Sequence, residues 1–183
     1  MAVLRIAKMG NPVLLKAAAP VEDPSAPEIR RLAADMQETL EDIGASGLAA
    51  PQVFASLRVV VYRVIASRIP PGSGLEPRPW TVMVNPVITP KSQAKTPVWE
   101  RCLSIPGLHG KVPRYSQITI SYQDLHGRML THDAYSSWAA LLLMAGGSTL
   151  LQITMARHAP AIVVTPPMRA MRLMLEPPIE RPL

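Results

Sequence analysis

Apolar residues recur early in the chain with the spacing of one amphipathic helix. Within Pro27–Ile43 they are separated by one, three or four residues, at Ile29, Leu32, Ala33, Met36, Leu40 and Ile43. This spacing places them on one face of a 3.6-residue repeat. Glu28 lies near the start, where the helix dipole favours a negative charge, and Gly44 follows the last apolar position. The pattern therefore predicts one α-helix that ends in a glycine-containing segment.

Other stretches have the composition of β-strands. Apolar, β-branched or alternating runs predict extended structure at 3–6, 57–65, 80–87, 96–104, 117–123 and 128–130. Asn85-Pro86 interrupts the third of these runs. Segments rich in Gly, Pro or Asp predict turns or loops at 10–12, 67–79, 107–113 and 124–127. The sequence therefore predicts mainly β-structure around few helices.

Residues 136–156 form an uncharged, largely apolar stretch that is long enough to cross a bilayer. Two glycines and Gln152 interrupt it, and no cluster of Lys or Arg flanks it. We therefore expect a buried central helix and no membrane association. Residues 157–183 are rich in Pro and Met and predict an irregular tail, so we expect a single domain over 1–156 followed by this tail.

Composition narrows the class of protein. The chain has 183 residues, of which 48% are hydrophobic and 17% charged, which is typical of one globular domain with a real core. The net charge is +6, but the basic residues are scattered and aromatics make up only 4%. We therefore expect no specific nucleic-acid motif. A single cysteine and the lack of a leader-like N-terminus favour the cytoplasm.

Two short segments carry candidate chemistry. Residues 46–52 read SGLAAPQ, so that small residues and Pro51 precede the side-chain amide of Gln52. A rigidly placed amide on an apolar wall can donate a hydrogen bond to a substrate oxygen, whereas an ordinary loop would leave it solvated. Residues 100–107 read ERCLSIPG and contain the only cysteine, Cys102. A lone cysteine is more often a small buried apolar residue than a ligand.

Together the two segments resemble motifs I and II of the peptide deformylase family, usually GxGLAAPQ and EGCLS. Residues 10–14, 19–21, 85–86, 112–114 and 124–127 are also similar to family positions, in order and spacing from about residue 3 to residue 140. The resemblance implies an α+β, peptide-deformylase-like fold with antiparallel β-sheets around a central helix.

The resemblance also implies a function. Peptide deformylases are hydrolases that remove formate from N-formylmethionyl peptides during protein biosynthesis, as nascent chains leave the ribosome. Nascent formylated peptides and the ribosome are therefore the implied partners. The implied cofactor is a divalent metal, usually Fe(II), with Zn, Ni or Co as substitutes.

Residue roles follow by position in the family motifs. Gln52 and the backbone N–H of Leu103 correspond to the donors that bind the developing oxyanion. Cys102 corresponds to a metal ligand, and Gly47 and Leu48 correspond to residues that contact the substrate backbone. In the family, an HExxH motif on the central helix adds two histidine ligands and a glutamate base.

That third motif is missing. The chain has four histidines, at 109, 126, 132 and 158, and none begins an HExxH pattern. In the family register, Ala145 and Thr149 occupy the histidine positions and Gly146 the glutamate position. A catalytic metal typically needs about three protein ligands, so Cys102 alone does not suffice. The sequence therefore predicts a deformylase-family protein, a pseudoenzyme, whose hydrolytic activity is lost or impaired.

Other interpretations stay open at this point. A local error or frame shift near 144–149 would make the natural protein an active deformylase. The scaffold could have acquired a different activity, or Cys102 and His109 could form a cysteine hydrolase. A non-catalytic formyl-peptide or ribosome-associated binding module would keep the groove of Gly47, Leu48 and Leu103 without hydrolysis.

Overall fold

A computed structural model describes residues 2–69, 71–72, 76–135 and 163–165. One α-helix, α1 (Pro27–Ile43), is followed by eight strands within these residues. The strands are β1 (Gly47–Ala49), β2 (Val59–Val64), β3 (Arg78–Pro90), β4 (Lys95–Cys102), β5 (Ile105–Tyr115), β6 (Gln117–Gln123), β7 (Met129–Tyr135) and β8 (Val163–Thr165). They form a five-stranded sheet in the order β1-β2-β3-β6-β7 and a three-stranded sheet in the order β4-β5-β8. Every strand pair is antiparallel.

Helix α1 has the bounds that its apolar spacing predicts. Pro27 is its first residue, where the missing backbone N–H is not needed. Gly44 ends it at φ 68°, a left-handed conformation that glycine adopts without a Cβ penalty. Met36 and Leu40 are fully buried on the side that faces the sheet. The helix therefore delivers the chain directly into the 46–52 segment.

Strand β2 is buried on both faces, which explains its unbroken apolar run. Val60 and Tyr62 pack in a cluster with residues of β3 and β6. Val59 and Val61 pack on the opposite side, in a cluster with residues of α1. Because β2 lies between the two clusters, it forms the centre of the described core.

The N-terminal arm is attached to the five-stranded sheet through Asn85. This residue has a positive φ of 53°, where the pairing register between β3 and β6 shifts. Its side chain accepts from the N–H of Val21 at 2.8 Å and donates to the carbonyl of Val21 at 2.8 Å. It also donates to Gln123 on β6 at 3.0 Å. The Asn-Pro step that interrupts the strand pattern is therefore a bulge within one continuous strand, β3.

Two predictions from the sequence are wrong. Residues 3–6 do not form a strand, although the backbone N–H of Leu4 donates to Thr39 on α1 at 2.8 Å. Residues 107–113 were expected to form a turn-rich connection, but they lie within β5 and pair with β4. Cross-strand hydrogen bonds to β4 override the local turn preference of this glycine- and proline-containing stretch.

The remaining predictions divide between confirmed elements and residues outside the described ranges. The helix, the strand at Gln117–Gln123 and the turn at 124–127 are confirmed. The expected central helix at 136–156 lies outside the described residues, as does the tail apart from β8. Of the helices within the described residues, none has the length and hydropathy that a membrane crossing requires.

Tyr62 is expected to make the fold less stable as the pH becomes alkaline. Burial raises the pKa of its phenol above the ordinary value. An unfolded tyrosine titrates near pH 10, so unfolding is favoured as pH rises past about 10 because the unfolded chain ionises first. We expect tyrosinate absorbance to show a group that titrates above the unfolded value. In Tyr62→Phe we expect a weaker loss of stability at alkaline pH, and an unchanged pH profile would contradict this assignment.

Candidate functional site

Gln52 is held in one orientation by its own backbone surroundings. It lies in the 3-10 helix Ala50–Val53 and is only 6% exposed. Its Oε1 accepts a hydrogen bond from the N–H of Ala49 at 3.0 Å. Its Nε2 is therefore directed the other way, towards the Oγ of Ser104 at 3.2 Å and the Sγ of Cys102 at 3.7 Å. The structure thus brings the amide of one sequence motif onto the cysteine of the other.

Cys102 stands at the turn of the β4–β5 hairpin. Cys102 pairs with Ile105, so Leu103 and Ser104 form a two-residue turn between the strands. The Cys102 side chain is half-buried, whereas Ser104 is fully buried. The peptide N–H of Leu103 follows Cys102 directly, which places this candidate donor at the hairpin tip, in the segment that Gln52 contacts.

The N-terminal arm joins the two motif segments. The N–H of Ala7 donates to the carbonyl of Gln52 at 2.7 Å, and the N–H of Met9 donates to the carbonyl of Ser104 at 2.8 Å. Between them, the Nζ of Lys8 donates to the carbonyl of Leu103 at 3.2 Å. Backbone bonds of this kind limit the separation of segments that are distant in sequence, so the arm keeps Gln52 next to the hairpin.

A buried ion pair braces the hairpin from its inner side. Arg114 on β5 donates to Glu100 on β4 through two parallel bonds, of 2.6 Å from Nε and 2.8 Å from a terminal guanidinium nitrogen. Glu100 is 5% exposed and Arg114 is 9% exposed. A bidentate pair fixes geometry as well as charge. Because Glu100 is two residues before Cys102, the pair helps to hold the strand that presents the thiol.

Gly47 and Leu48 lie in β1, which pairs with β2. Leu48 is fully buried and packs with residues of α1 and β2. Its side chain therefore belongs to the core, so a contact with substrate would have to use its backbone. Gly47 is half-buried at the start of the same strand. The roles of both residues stay predictions.

Sequence reasoning missed several residues that build the site. Ser104 accepts a hydrogen bond from the same Gln52 amide that contacts Cys102. Lys8 and its neighbours form the bridging arm. Glu100 and Arg114 brace the hairpin. Glu100 and Ser104 flank Cys102 in the motif itself, so they could have been noticed. The roles of Lys8 and Arg114 depend on long-range contacts that no local pattern indicates.

The described residues around Cys102 do not include the ligand set of a catalytic divalent-metal site. Within the described ranges, no three His, Cys, Asp or Glu side chains come together in a way that could hold a metal ion. Cys102 offers one thiol, and the amide of Gln52 already contacts it. The register positions Ala145, Gly146 and Thr149 lie outside the described residues, and alanine and glycine have no side-chain donor atom at all. Fe(II) and the other divalent metals therefore stay predictions from family resemblance.

Comparison with known proteins gives a consistent result over most of the chain. The family model described as polypeptide deformylase matches residues 3–144. The chain is 43% identical to peptide deformylase 1 of Nitrosomonas europaea over 122 residues. The aligned region covers 67% of this chain and 68% of the relative. The family match ends at Met144, one residue before Ala145, where the family register predicts the first histidine ligand.

Solved structures show the same likeness. The crystal structure of a class I type b peptide deformylase from Acinetobacter baumannii superposes with a TM-score of 0.74 at 28% identity, over 86% of this chain and 99% of that one. A structure of the Acinetobacter baumannii protein with Met-Ala-Ser bound has a TM-score of 0.71 at 29% identity, over 81% of this chain and 95% of that one. The helix and antiparallel sheets described above agree with that α+β fold.

Proposed function

The chain belongs to the polypeptide deformylase family, and from that premise we propose that it binds the N-formylmethionyl ends of nascent peptides but hydrolyses them slowly or not at all. One observation carries the proposal. The amide donor of the site is already oriented, whereas the positions that should complete a metal site carry Ala145, Gly146 and Thr149.

The proposal that the chain binds formylated peptides rests on the Gln52 amide, which is oriented before any ligand binds. Gln52 keeps its Nε2 directed at the Cys102 and Ser104 side of the site without help from a ligand. A formyl oxygen is a hydrogen-bond acceptor, so it could take the place of Ser104 Oγ or share the donor with it. The Leu103 N–H would be the second donor. The related Acinetobacter baumannii structure with Met-Ala-Ser bound supports a peptide ligand of this class.

The loss of hydrolysis follows from what the site lacks. Hydrolysis of a formamide requires an activated nucleophile and a group that takes and returns its proton. Glycine at position 146 cannot act as a base, and the residues at 145 and 149 do not provide imidazole ligands. Two oxyanion donors alone would stabilise a bound carbonyl oxygen without generating the nucleophile. We therefore propose peptide binding as the activity that these residues support, and the cytoplasm and the ribosome stay predictions from family resemblance.

The direct test measures metal, turnover and binding on one preparation. Protein purified without oxygen is analysed for iron, zinc, nickel and cobalt, and is then assayed with formyl-Met-Ala-Ser. We expect substoichiometric metal, no measurable formate release, and tighter binding of formyl-Met-Ala-Ser than of Met-Ala-Ser. Stoichiometric metal together with turnover would refute the loss of hydrolysis, and equal affinity for the two peptides would refute the binding assignment.

Two further measurements separate the alternatives. An independent reading of the gene across codons 140–160 should reproduce the residues at 145, 146 and 149, and an HExxH in that place would restore the active-deformylase interpretation. Alkylation of Cys102 tests the cysteine-hydrolase alternative. Any metal-independent hydrolysis that depended on Cys102 and His109 would be lost on alkylation.

A further inference from the structure

The outer face of the three-stranded sheet has an unusual composition. Alternate residues of β4 point to this face and are exposed, namely Lys95, Pro97, Trp99 and Arg101. The residues of β5 that pair with the first three are Tyr115, Pro113 and Lys111. On the other face, Glu100, Val112 and Arg114 are buried. The sheet therefore has one face in the protein interior and one face that combines cations with aromatic rings, which we call the cationic face.

Every charged side chain that the described residues of β4 and β5 place on the cationic face is positive. Lys95, Arg101 and Lys111 are exposed, and no carboxylate of a described residue on β4 or β5 shares this face with them. The five-stranded sheet differs, because its exposed Lys91 forms an ion pair with Asp133 on β7. Surfaces usually mix both signs of charge. A single-sign patch creates a local field that attracts polyanions.

Aromatic rings lie among these charges. Trp99 is 54% exposed although it is a large apolar side chain, and Lys111 stands opposite it on β5. At one end of the face, the Nζ of Lys95 lies over the ring of Tyr115, 4.8 Å from its centroid. An exposed indole beside cations on one face of a sheet provides stacking surface and phosphate contacts in one place.

We propose that the cationic face binds single-stranded RNA, with a base stacked on Trp99 and phosphates contacted by Lys95, Arg101 and Lys111. Six residue steps along the antiparallel strand separate Lys95 from Arg101, or about 20 Å, which is room for a few nucleotides. The exposed ring of Trp99 suits an unstacked base better than a duplex, whose bases are already stacked. Apart from its two aromatic rings, the cationic face lacks the large apolar side chains with which a protein inserts into a membrane surface.

The linear sequence conceals this surface for a geometric reason. The residues that form it occupy alternate positions on two strands, so they produce no run of basic residues. The scattered charge and the low aromatic content led us to expect no specific nucleic-acid motif. The pairing of β4 with β5 is what brings the cations and the exposed indole onto one face.

The test is the affinity of the full chain for a fluorescein-labelled oligouridine, measured by fluorescence anisotropy at several salt concentrations. Single strands give a slope of about −0.7 in log affinity against log salt for each phosphate contact, so three cations predict a slope of about −2. Trp99→Ala should weaken binding by about 5- to 150-fold, the usual effect of removing one stacking platform. Trp99→Phe should retain most of the affinity, because the smaller ring can still stack.

Two variants that each remove one positive charge test whether RNA binds at the cationic face. Lys111→Ala should lower the affinity and reduce the salt slope by about 0.7. Arg31→Ala removes the same charge from the exposed side of α1 and should leave the slope unchanged. If Trp99→Ala and Lys111→Ala bind oligouridine as tightly as Arg31→Ala does, the proposal is overturned. Binding to phosphatidylserine vesicles without oligouridine binding would also overturn it. These readouts use RNA alone, so they are independent of formyl-peptide binding.

Discussion

Replacing Glu100 with leucine is expected to lower the free energy of unfolding by about 3–5 kcal/mol. The substitution leaves the guanidinium of Arg114 buried without the two carboxylate bonds that now compensate its lost hydration. Arg114→Met should cost a similar amount, because it leaves the Glu100 carboxylate in the same position. Urea denaturation of the wild type and the two variants measures these differences.

The double variant shows whether Glu100 and Arg114 contribute to the free energy of unfolding as a pair or independently. When both members of a buried ion pair are replaced by apolar residues, the cost is often small, so Glu100→Leu with Arg114→Met should be less destabilised than either single variant. Lys91→Ala, which breaks an exposed ion pair with Asp133, is the matched control, with an expected cost of at most about 1 kcal/mol. Additive losses in the double variant would show that the pair does not act as a unit.

Replacing Gln52 with leucine is expected to weaken the binding of formyl-Met-Ala-Ser by about tenfold or more. The volume is nearly kept, but the donor directed at Cys102 and Ser104 is lost. The N–H of Ala49 also loses its acceptor, which should destabilise the fold by about 1–3 kcal/mol. Isothermal titration with the peptide measures the first effect, and urea denaturation measures the second.

The formyl group provides the control for Gln52. Met-Ala-Ser lacks the formyl oxygen, so its affinity should change little in Gln52→Leu. Gln52→Glu keeps an acceptor for Ala49 but replaces the donor with a carboxylate oxygen, so it should retain more stability than Gln52→Leu and still bind the formyl peptide poorly. An equal loss for both peptides would mean that Gln52 supports the site without contacting the formyl oxygen.

Local chemistry determined the elements that the sequence predicted well. Helix α1 begins at Pro27 and ends before Gly44 because both residues act within a single turn of backbone. Strand β2 was recognisable from its valines, which suit a strand buried on both faces. Strand β5 was missed because Gly107 and Pro113 favour turns locally, whereas pairing with β4 decides their conformation.

The residues of the candidate site also differ in whether a local sequence pattern indicates them. Gln52 and Cys102 were found because each lies in a short contiguous motif whose residue types carry the chemistry. Lys8 and Arg114 were missed, since their roles arise from contacts with residues far away in the sequence. The absence of HExxH was also a property of the sequence alone, because a ligand set with fixed spacing on one helix can be checked residue by residue.

Residue identity alone indicates the family, the candidate donors Gln52 and Leu103, the thiol of Cys102 and the replacement of the third motif. These are properties of residue identity over a few consecutive positions. Three features appear only in the folded chain: the amide of Gln52 points at Cys102 and Ser104, the arm at 7–9 joins the two segments, and the cations around Trp99 share one exposed face. The physical reason is that hydrogen bonds and strand pairing act between residues that are close in space, whatever their separation along the chain.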